Sequence, residues 1–271
     1  MIKNNFKNYL LKLSHTFGYN IQIGKITSPS DLNKLLKQLY PISIDIPLIR
    51  VGSDGDGGYL VPDDLENINY LFSPGVGCKQ DFDHECADKG MKVCMVDASV
   101  NGPIKNHTNF NFLKKYLGVF DSDETISLDS WLRSSQIPAD SECILQMDIE
   151  GGEYESILSA SLDTLSNFRI MIIEFHKLDM LWNRHFFNFF KNCFLKLLQT
   201  HYVTHIHPNN CTRPTVIRGL SIPPVMEFTF IRKDRVIKTG YVKKFPNDLD
   251  RDCTPKKSLT LPGCWYDSKN A

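Results

Sequence analysis

Three carboxylates crowd around a pair of glycines in the stretch LQMDIEGGEYESIL (145–158), directly after an apolar run. A group of carboxylates attracts a positively charged ligand by Coulomb forces. Asp148 ends the apolar run and is therefore the acid best placed to point at such a ligand. Glu150 and Glu153 have a second interpretation, because acids in the first turn of a helix offset its dipole.

A glycine turn and a further acid follow two earlier apolar runs. Gly75 and Gly77 end YLFSPGVG (70–77), and Asp97 ends KVCMVD, twenty residues after Gly77. This spacing suits an acid that binds a ribose diol beside a turn that lies close to a ligand, although the two glycines could also form an ordinary tight turn. GVGCKQ lacks the third glycine of the dinucleotide fingerprint, which favours a ligand without phosphates, such as S-adenosylmethionine, over NAD.

The segments that would position these groups alternate between strands and helices. We predict a strand over 70–77, a short helix over 81–90 closed by Gly90, a strand over 92–99, and later strands over 143–150 and 168–176. Parallel strands joined by crossover helices form an open α/β sheet covered on both faces. In such a sheet, ligands bind outside the carboxyl ends of the strands, which is where these polar residues fall.

Further polar groups lie at the ends of later segments, including predicted strands over 202–207 and 225–233. Pairs spaced at i and i+2 in a strand can face the same side, which brings imidazoles, carboxylates and amides to one edge of the sheet. A lone histidine at a strand end can instead be structural, and HPNN can be only a turn. The candidates are Glu174, His176, His205, His207, Asn209, Asn210 and Glu227.

Three regions differ in their pattern. Residues 1–47 are predicted to form an N-terminal helical appendage, in which Leu32, Leu35, Leu36 and Leu39 make one stripe and Ser30 or Asp31 caps a helix. Residues 48–239 are predicted to form the main domain, which starts with a hairpin or a ligand-binding loop over 48–64. Residues 240–271 are predicted to be an irregular tail packed on the domain.

The turn GSDGDGG has aspartates at alternate positions, as an EF-hand loop does. The twelfth residue counted from Asp54 is Leu65 rather than glutamate, which disfavours calcium. We expect instead that Asp56, Gly58 and Tyr59 fold over the ligand.

Composition restricts the partners. Lysine plus arginine and aspartate plus glutamate are each 31, so no net charge attracts nucleic acid or an anionic membrane. The eight cysteines include no C-x-x-C pair, which fits a reducing cytoplasm. We expect no membrane span, because no run approaches ~18 apolar residues. The aromatic-rich segment 178–200 is predicted to be a core helix, with a homodimer face as the alternative.

These motifs together resemble a known family. CILQMDIEGGEYESIL, preceded by ISLDSWL and followed by IMIIEFH, is similar to the FkbM family of class I S-adenosylmethionine-dependent methyltransferases. The resemblance extends over roughly 48–233 and includes RVGSDGDGGYLVP, HIHPNN and IPPVMEFTFIRK. The sequence departs from the commonest form at Gly152, where alanine is usual, and in the short turn SPGVG.

The resemblance implies a Rossmann-like fold whose sheet has seven strands, six parallel and one antiparallel, with VMEFTFIRK as the antiparallel strand. It also implies methyl transfer to a hydroxyl oxygen. The predicted function is therefore O-methylation of a sugar or glycoconjugate, with a nicotinamide-dependent oxidoreductase or a non-catalytic binding domain as alternatives. The residues predicted to bind S-adenosylmethionine are Asp56, Gly58, Tyr59, Gly75, Val76, Gly77, Asp81, Asp97, Ala98, Ser99 and Asp148.

Two mechanisms remain open at this stage. In one, His207 or His176 takes the proton of the hydroxyl, and Asp148 and Glu174 orient the histidine. In the other, Asp148, Glu174 and His176 hold a divalent cation such as Mg²⁺, which lowers the pKa of the bound hydroxyl. The predicted acceptor-binding residues are Glu150, His205, Asn209, Asn210 and Glu227.

Overall fold

The computed structural model describes residues 9, 12–18, 24–138 and 140–267. The strands are β1 (Ile42–Ile44), β2 (Leu48–Gly52), β3 (Gly58–Pro62), β4 (Ile68–Pro74), β5 (Lys92–Val96), β6 (Phe110–Leu113), β7 (Tyr116–Gly118), β8 (Thr125–Ser127), β9 (Glu142–Met147), β10 (Phe168–Phe175), β11 (His201–Pro208), β12 (Thr215–Ile217), β13 (Leu220–Ile222), β14 (Met226–Arg232) and β15 (Lys238–Tyr241). The helices are α1 (Pro29–Leu36), α2 (Asp81–Asp88), α3 (Leu128–Ser134), α4 (Glu153–Ser159), α5 (Leu162–Ser166) and α6 (Arg184–Thr200), with 3-10 turns at Leu178–Trp182 and Lys233–Arg235.

Seven of these strands form the central sheet in the order β11-β14-β10-β9-β4-β5-β6. The pairs from β10 through β9, β4 and β5 to β6 are parallel, and β14 runs antiparallel to both β10 and β11. The predicted fold class and the antiparallel role of VMEFTFIRK are confirmed. Strand β6 was missed because FNFL is short and only half buried, so its pattern carries little strand signal.

Helices and aromatic side chains cover the sheet. In β14, Met226, Phe228 and Phe230 are buried on one face, as the alternation predicted. On that face lies α6, whose Phe190 and Phe194 are fully buried. Their rings lie 4.4 Å apart, centroid to centroid, and that of Phe194 lies 5.2 Å from that of Phe228. The aromatic helix therefore belongs mainly to the core, as predicted.

The described part of the N-terminal region packs on the same core. The predicted leucine stripe is confirmed, since Leu32, Leu35, Leu36 and Leu39 are buried in the main cluster. The predicted cap was wrong: Ser28 caps α1 by accepting from the Asp31 amide, and Pro29 takes the first helical position, which suits proline's fixed φ. Residues 12–16 are also helical. The prediction for 1–8, 10–11 and 19–23 lies outside the described residues.

A hairpin precedes the central sheet, and the tail follows strand β15, which includes the first two residues of the predicted irregular segment. Strands β2 and β3 pair antiparallel and are joined by a turn over residues 53–57. From Val242 to Asp267 the described chain has no helix or strand, yet Phe245, Leu261 and Trp265 are buried in the core. Among the described residues, no helix has the length and apolar character required to cross a bilayer.

One buried histidine makes stability depend on pH. The side chain of His201 is fully buried, with its Nε2 donating to the Phe168 carbonyl at 2.8 Å. Burial lowers the pKa of His201 to about 4. His201 therefore takes up a proton near pH 6.5 in the unfolded chain but only near pH 4 in the folded chain. Its contribution to the free energy of unfolding is complete above pH 6.5 and is lost as pH falls from 6.5 to 4.

We therefore expect His201 to remove about 3 kcal/mol from the free energy of unfolding between pH 6.5 and 4. His201→Gln should flatten this part of the profile measured by urea denaturation, because the amide does not titrate. His185→Gln, at an exposed position of α6, is the control. An unchanged slope in His201→Gln would contradict the assignment.

Candidate active site

A cavity of about 570 Å³ opens at the carboxyl ends of β4, β5 and β9. It contains the glycine turn, the acid after β5 and the acid after β9, which are far apart in sequence. The side chains and backbone that line it are Gly75, Val76, Gly77, Cys78, Gln80, Val96, Asp97, Ser99, Val100, Gly102, Ile104, Tyr116, Leu117, Asp148, Ile149, Glu150 and Gly152. Six of the predicted cofactor residues therefore line one cavity: Gly75, Val76, Gly77, Asp97, Ser99 and Asp148.

Asp97 joins the glycine turn to the end of β5. Its Oδ2 accepts from the Val76 amide at 2.8 Å, and its Oδ1 accepts from the Ser99 amide at 2.7 Å and hydroxyl at 2.6 Å. A carboxylate has about four acceptor sites, so Asp97 can still accept hydrogen bonds from a ligand in the cavity. The acid both shapes the turn and faces the ligand space.

Gly75 allows the backbone after β4 to pack directly against the backbone after β9. It has a φ of +90°, and a Cβ added there would lie 1.7 Å from the Asp148 carbonyl oxygen. No side chain fits at that distance, and the left-handed conformation also favours glycine. This contact places the backbone of Asp148 directly against the turn.

Four carboxylates surround His176, which follows β10. Its Nε2 lies 3.4 Å from Glu150, 3.5 Å from Glu174 and 3.8 Å from Asp148, and its Nδ1 lies 3.1 Å from Glu153. The predicted convergence of Asp148, Glu174 and His176 is therefore observed. These three residues offer ligand atoms within 4.8 Å of one another.

Glu153 is more than a helix-dipole acid. It is fully buried, and its Oε1 accepts from the Gly151 amide at 2.9 Å and from the Ile149 amide at 3.3 Å. Glu150 and Gly151 have φ values of +56° and +110°. The DIEGGE turn is thus folded around Glu153, which in turn holds the ring of His176.

The close packing of carboxylates around His176 shifts the pKa values of several of these groups. Burial would lower the pKa of His176, but the surrounding carboxylates, Glu153 first, raise it to about 9. Burial raises the pKa of Asp148 to about 6, although His176 lowers it. Burial, with Asp148 and Glu227 nearby, raises the pKa of Glu174 well above its usual value. His176 is therefore a cation at neutral pH, and the ionised forms of Asp148 and Glu174 are disfavoured.

A second polar group lies at the far side of the same sheet edge. Glu174, Glu227 and His207 are cross-strand neighbours on β10, β14 and β11. Burial raises the pKa of Glu227 to about 7, although His207 and Arg50 lower it. None of these three side chains is among the described cavity lining, and His207 is separated from β9 by β10 and β14.

The predicted acceptor residues Asn209 and Asn210 have different partners. Asn209 Nδ2 donates to Glu174 Oε1 at 3.3 Å, which ties it to the acidic group. Asn210 donates to the Thr254 and Lys256 carbonyls and accepts from the Thr254 amide and hydroxyl. Asn210 therefore anchors the C-terminal tail, and its amide has little capacity left for a ligand.

The hairpin residues expected to cover the cofactor are not in the described cavity wall. Tyr59 is buried, and its hydroxyl accepts from Gln146 Nε2 at 3.3 Å beneath the sheet edge. A Cβ on Gly58 would lie 2.1 Å from the Ser53 carbonyl, so this glycine serves the turn. Asp56 is exposed, Asp81 begins α2, and Ala98 follows Asp97 outside the lining. Their binding roles remain predictions.

The sequence did not single out Asp250, whose side chain is only 6% exposed. Asp250 of the tail lies 2.7 Å from His205 Nε2 and 3.6 Å from His207 Nδ1. Nothing in the polar tail distinguishes it from its neighbours Asp248 and Asp252 in the sequence. The cavity residues Tyr116 and Leu117 were also missed, because β7 is short.

Comparison with known protein families gives a match to this chain. The family model described as "Methyltransferase FkbM domain" matches residues 61–199. A search of the curated proteins gives no significant match.

Solved structures of similar fold share little sequence with this chain. A fibrillarin pre-rRNA processing protein from Methanococcus jannaschii is 8% identical, with 70% of this chain and 83% of that chain covered and a TM-score of 0.39. A SAM dependent methyltransferase from Archaeoglobus fulgidus is 15% identical, with 62% and 88% covered and a TM-score of 0.35. A 16S rRNA adenine methyltransferase from Catenulisporales acidiphilia is 11% identical, with 70% and 99% covered and a TM-score of 0.30. Values this low say nothing about the acceptor of this chain.

Two glycines of the site should respond in opposite ways to alanine. Gly75→Ala should lower the free energy of unfolding by more than the ~1–3 kcal/mol of a strained backbone, because Cβ would also overlap the Asp148 carbonyl. At Gly152, φ is −83° and the nearest atom to an added Cβ is the mobile Ile149 Cδ1 at 3.2 Å. Gly152→Ala should leave stability unchanged or raise it by up to ~1 kcal/mol. Denaturant unfolding of both variants checks this, and a stable Gly75→Ala would refute the close approach.

Proposed function

The chain belongs to the FkbM family of S-adenosylmethionine-dependent methyltransferases, and we propose that it methylates a hydroxyl of a sugar or glycoconjugate. The observation that carries this proposal is the position of Asp148. Asp148 lines the cavity, and its Oδ1, which is buried and has no hydrogen-bond partner among the described residues, lies 3.8 Å from His176 Nε2. One carboxylate thus connects the ligand cavity with the acidic group.

The cavity fits the cofactor in size and charge. Its volume of about 570 Å³ lies within the ~300–1,000 Å³ of typical small-molecule sites. Asp97 is placed to accept from ribose hydroxyls, and Asp148 with Glu150 makes another part of the lining acidic. When bound, S-adenosylmethionine supplies an electrophilic methyl group on a cationic sulfur. The acidic wall favours such a cation by Coulomb attraction.

Asp148 is the proposed proton acceptor. A group whose pKa lies near the operating pH combines a sufficient ionised fraction with a useful affinity for the proton, and Asp148 meets that condition at about 6. His176 is less suitable than the sequence suggested, because four carboxylates keep it protonated; its role is to stabilise the ionised form of Asp148. His207, which the sequence also suggested, lies on a strand separated from Asp148 by two others.

A divalent cation is the alternative to direct proton transfer. Asp148, Glu174 and His176 present two oxygens and one nitrogen within 4.8 Å, an oxygen-rich set that suits Mg²⁺. An ion there would act as a Lewis acid on the acceptor oxygen. Loss of turnover on removing divalent ions, restored by Mg²⁺ and not by Zn²⁺, would select this scheme over the Asp148 base.

The sugar acceptor is proposed from the polarity of the adjoining edge. Glu174, Glu227 and Asn209 lie side by side beyond Asp148, and Asn209 already donates to Glu174. Carboxylates and amides in a row suit a ligand with many hydroxyls. Transfer of a labelled methyl group to methyl glycosides or a glycan array supports the proposal, whereas exclusive labelling of RNA or protein would contradict it.

Removing the charge of Asp97 should weaken cofactor binding. Asp97→Asn is expected to cost about 1–3 kcal/mol in S-adenosylmethionine affinity, the size of a lost charge-assisted hydrogen bond. Glu155→Gln, on the exposed side of α4, changes the same charge away from the cavity and should have no effect. Isothermal titration calorimetry measures both. Equal affinities in the two variants would remove Asp97 from the binding site.

Asp148→Asn should separate chemistry from binding. The amide keeps the shape but cannot accept the proton, so single-turnover methyl transfer should slow by ~10²–10⁴-fold, with a much smaller change in cofactor affinity. In the wild type, turnover should fall about tenfold per pH unit below about pH 6, as Asp148 becomes protonated. Full activity of Asp148→Asn would rule out this carboxylate as the base.

A further inference from the structure

Two histidines of β11 and one aspartate of the tail converge beyond the methyl-transfer site. Asp250 Oδ1 lies 2.7 Å from His205 Nε2 and 3.6 Å from His207 Nδ1. One ligand atom of each residue lies within 4.8 Å of the other two. The two histidines are only 4% and 7% exposed, so the group sits inside the protein.

The imidazole of His207 has no hydrogen-bond partner in the described structure, although both of its ring nitrogens are buried. A buried polar group without a partner costs free energy, so native proteins rarely leave one. Asp250 is too far from the ring for a hydrogen bond, but both face the same space. The described residues therefore leave both ring nitrogens of His207 available to a bound ligand.

The chemistry of the three donors identifies that partner. Two imidazole nitrogens and one carboxylate oxygen suit zinc and similar divalent transition metals, whereas Mg²⁺ and Ca²⁺ prefer oxygen ligands. We propose that His205, His207 and Asp250 bind one zinc-type divalent ion. The site is distinct from the group around His176, which consists mainly of carboxylates.

Neighbouring contacts already orient the ligands. Asp250 Oδ2 accepts from the Asn247 amide at 2.8 Å, which turns Oδ1 toward the histidines. His205 stacks on Phe245, with ring centroids 5.6 Å apart. Outer-shell contacts of this kind fix ligand geometry in metal sites. Three protein ligands leave a fourth position for water or for an oxygen of a bound molecule.

The ion would also fasten the tail to the sheet edge. On either side of Asp250, the Leu249 carbonyl accepts from Arg50 at 3.4 Å and Arg251 donates to Asp54 at 2.7 Å. These contacts tie the tail to the hairpin turn and not to β11. Asp250 already contacts β11 through His205, and coordination would add a second link to that strand through His207, beside Glu227.

The ordinary interpretation is a hydrogen-bonded pair of His205 and Asp250 with no ion. The two interpretations differ in one measurement. The full-length protein, treated with a chelator and dialysed, is titrated with Co²⁺ while visible absorption is recorded, and Zn²⁺ is then added as competitor. No S-adenosylmethionine is present, so the outcome does not depend on the proposed methyl transfer.

We expect the wild type to bind Co²⁺ at this site and to release it to Zn²⁺. Asp250→Asn and His207→Gln should weaken this binding by more than the ~10–100-fold caused by loss of an outer-shell partner. Asp248→Asn, which changes an exposed acid two residues away, should bind as the wild type does. His176→Gln should also retain the ion, because it alters the other acidic group.

A substituted ligand gives a positive signature that does not rely on loss of binding. Asp250→Cys should add a thiolate-to-cobalt charge-transfer band, since the new sulfur would coordinate the ion directly. The proposal is overturned if the wild type takes up no Co²⁺, or if binding is lost in His176→Gln and kept in Asp250→Asn. Calorimetry with S-adenosylmethionine on the same samples shows separately whether the methyl-donor site is intact.

Discussion

The site depends on an excess of negative charge held partly out of water at the tips of β9 and β10. Asp148, Glu150, Glu153 and Glu174 surround the single imidazole of His176. One cation cannot balance four carboxylates, and burial raises the proton affinity of Asp148 and Glu174. A cationic methyl donor in the adjacent cavity would relieve that imbalance, which links electrostatics to the family's chemistry.

The backbone makes this crowding possible. Parallel strands end at one edge, so acids that follow β5, β9 and β10 are brought together although long stretches of sequence separate them. Gly75 closes the remaining distance, because a residue with a side chain could not lie against the Asp148 carbonyl. The buried Glu153 then accepts the amides of the DIEGGE turn, which fixes both its own position and the ring of His176. The same few residues therefore shape the cavity and set its charge.

The tail completes the other end of the edge. Asp250 meets His205 and His207, Asn210 binds the backbone of Thr254 and Lys256, and Arg251 reaches the hairpin turn. A segment without helix or strand thus contributes buried polar groups to a surface built by strands. Such contacts restrict the tail more than its composition suggests.

The sequence by itself determined the fold class and half of the site. Apolar periodicity and glycine turns are local properties, and they were sufficient to predict the alternating strands and helices, the antiparallel β14, and the polar groups at the strand ends. The motif DIEGGE and the acid after β5 identified Asp148 and Asp97 as the cavity acids. Short, half-exposed β6 and β7 gave too little pattern to be recognised.

The tertiary structure alone decided which polar groups meet. It separated His207 from Asp148 by two intervening strands, turned Asn210 toward the tail, and buried Glu153 against His176. It also chose Asp250 over the neighbouring aspartates as the partner of the β11 histidines. These outcomes follow from contacts between residues distant in the chain, and no local periodicity encodes them, because each depends on how the sheet and tail pack together.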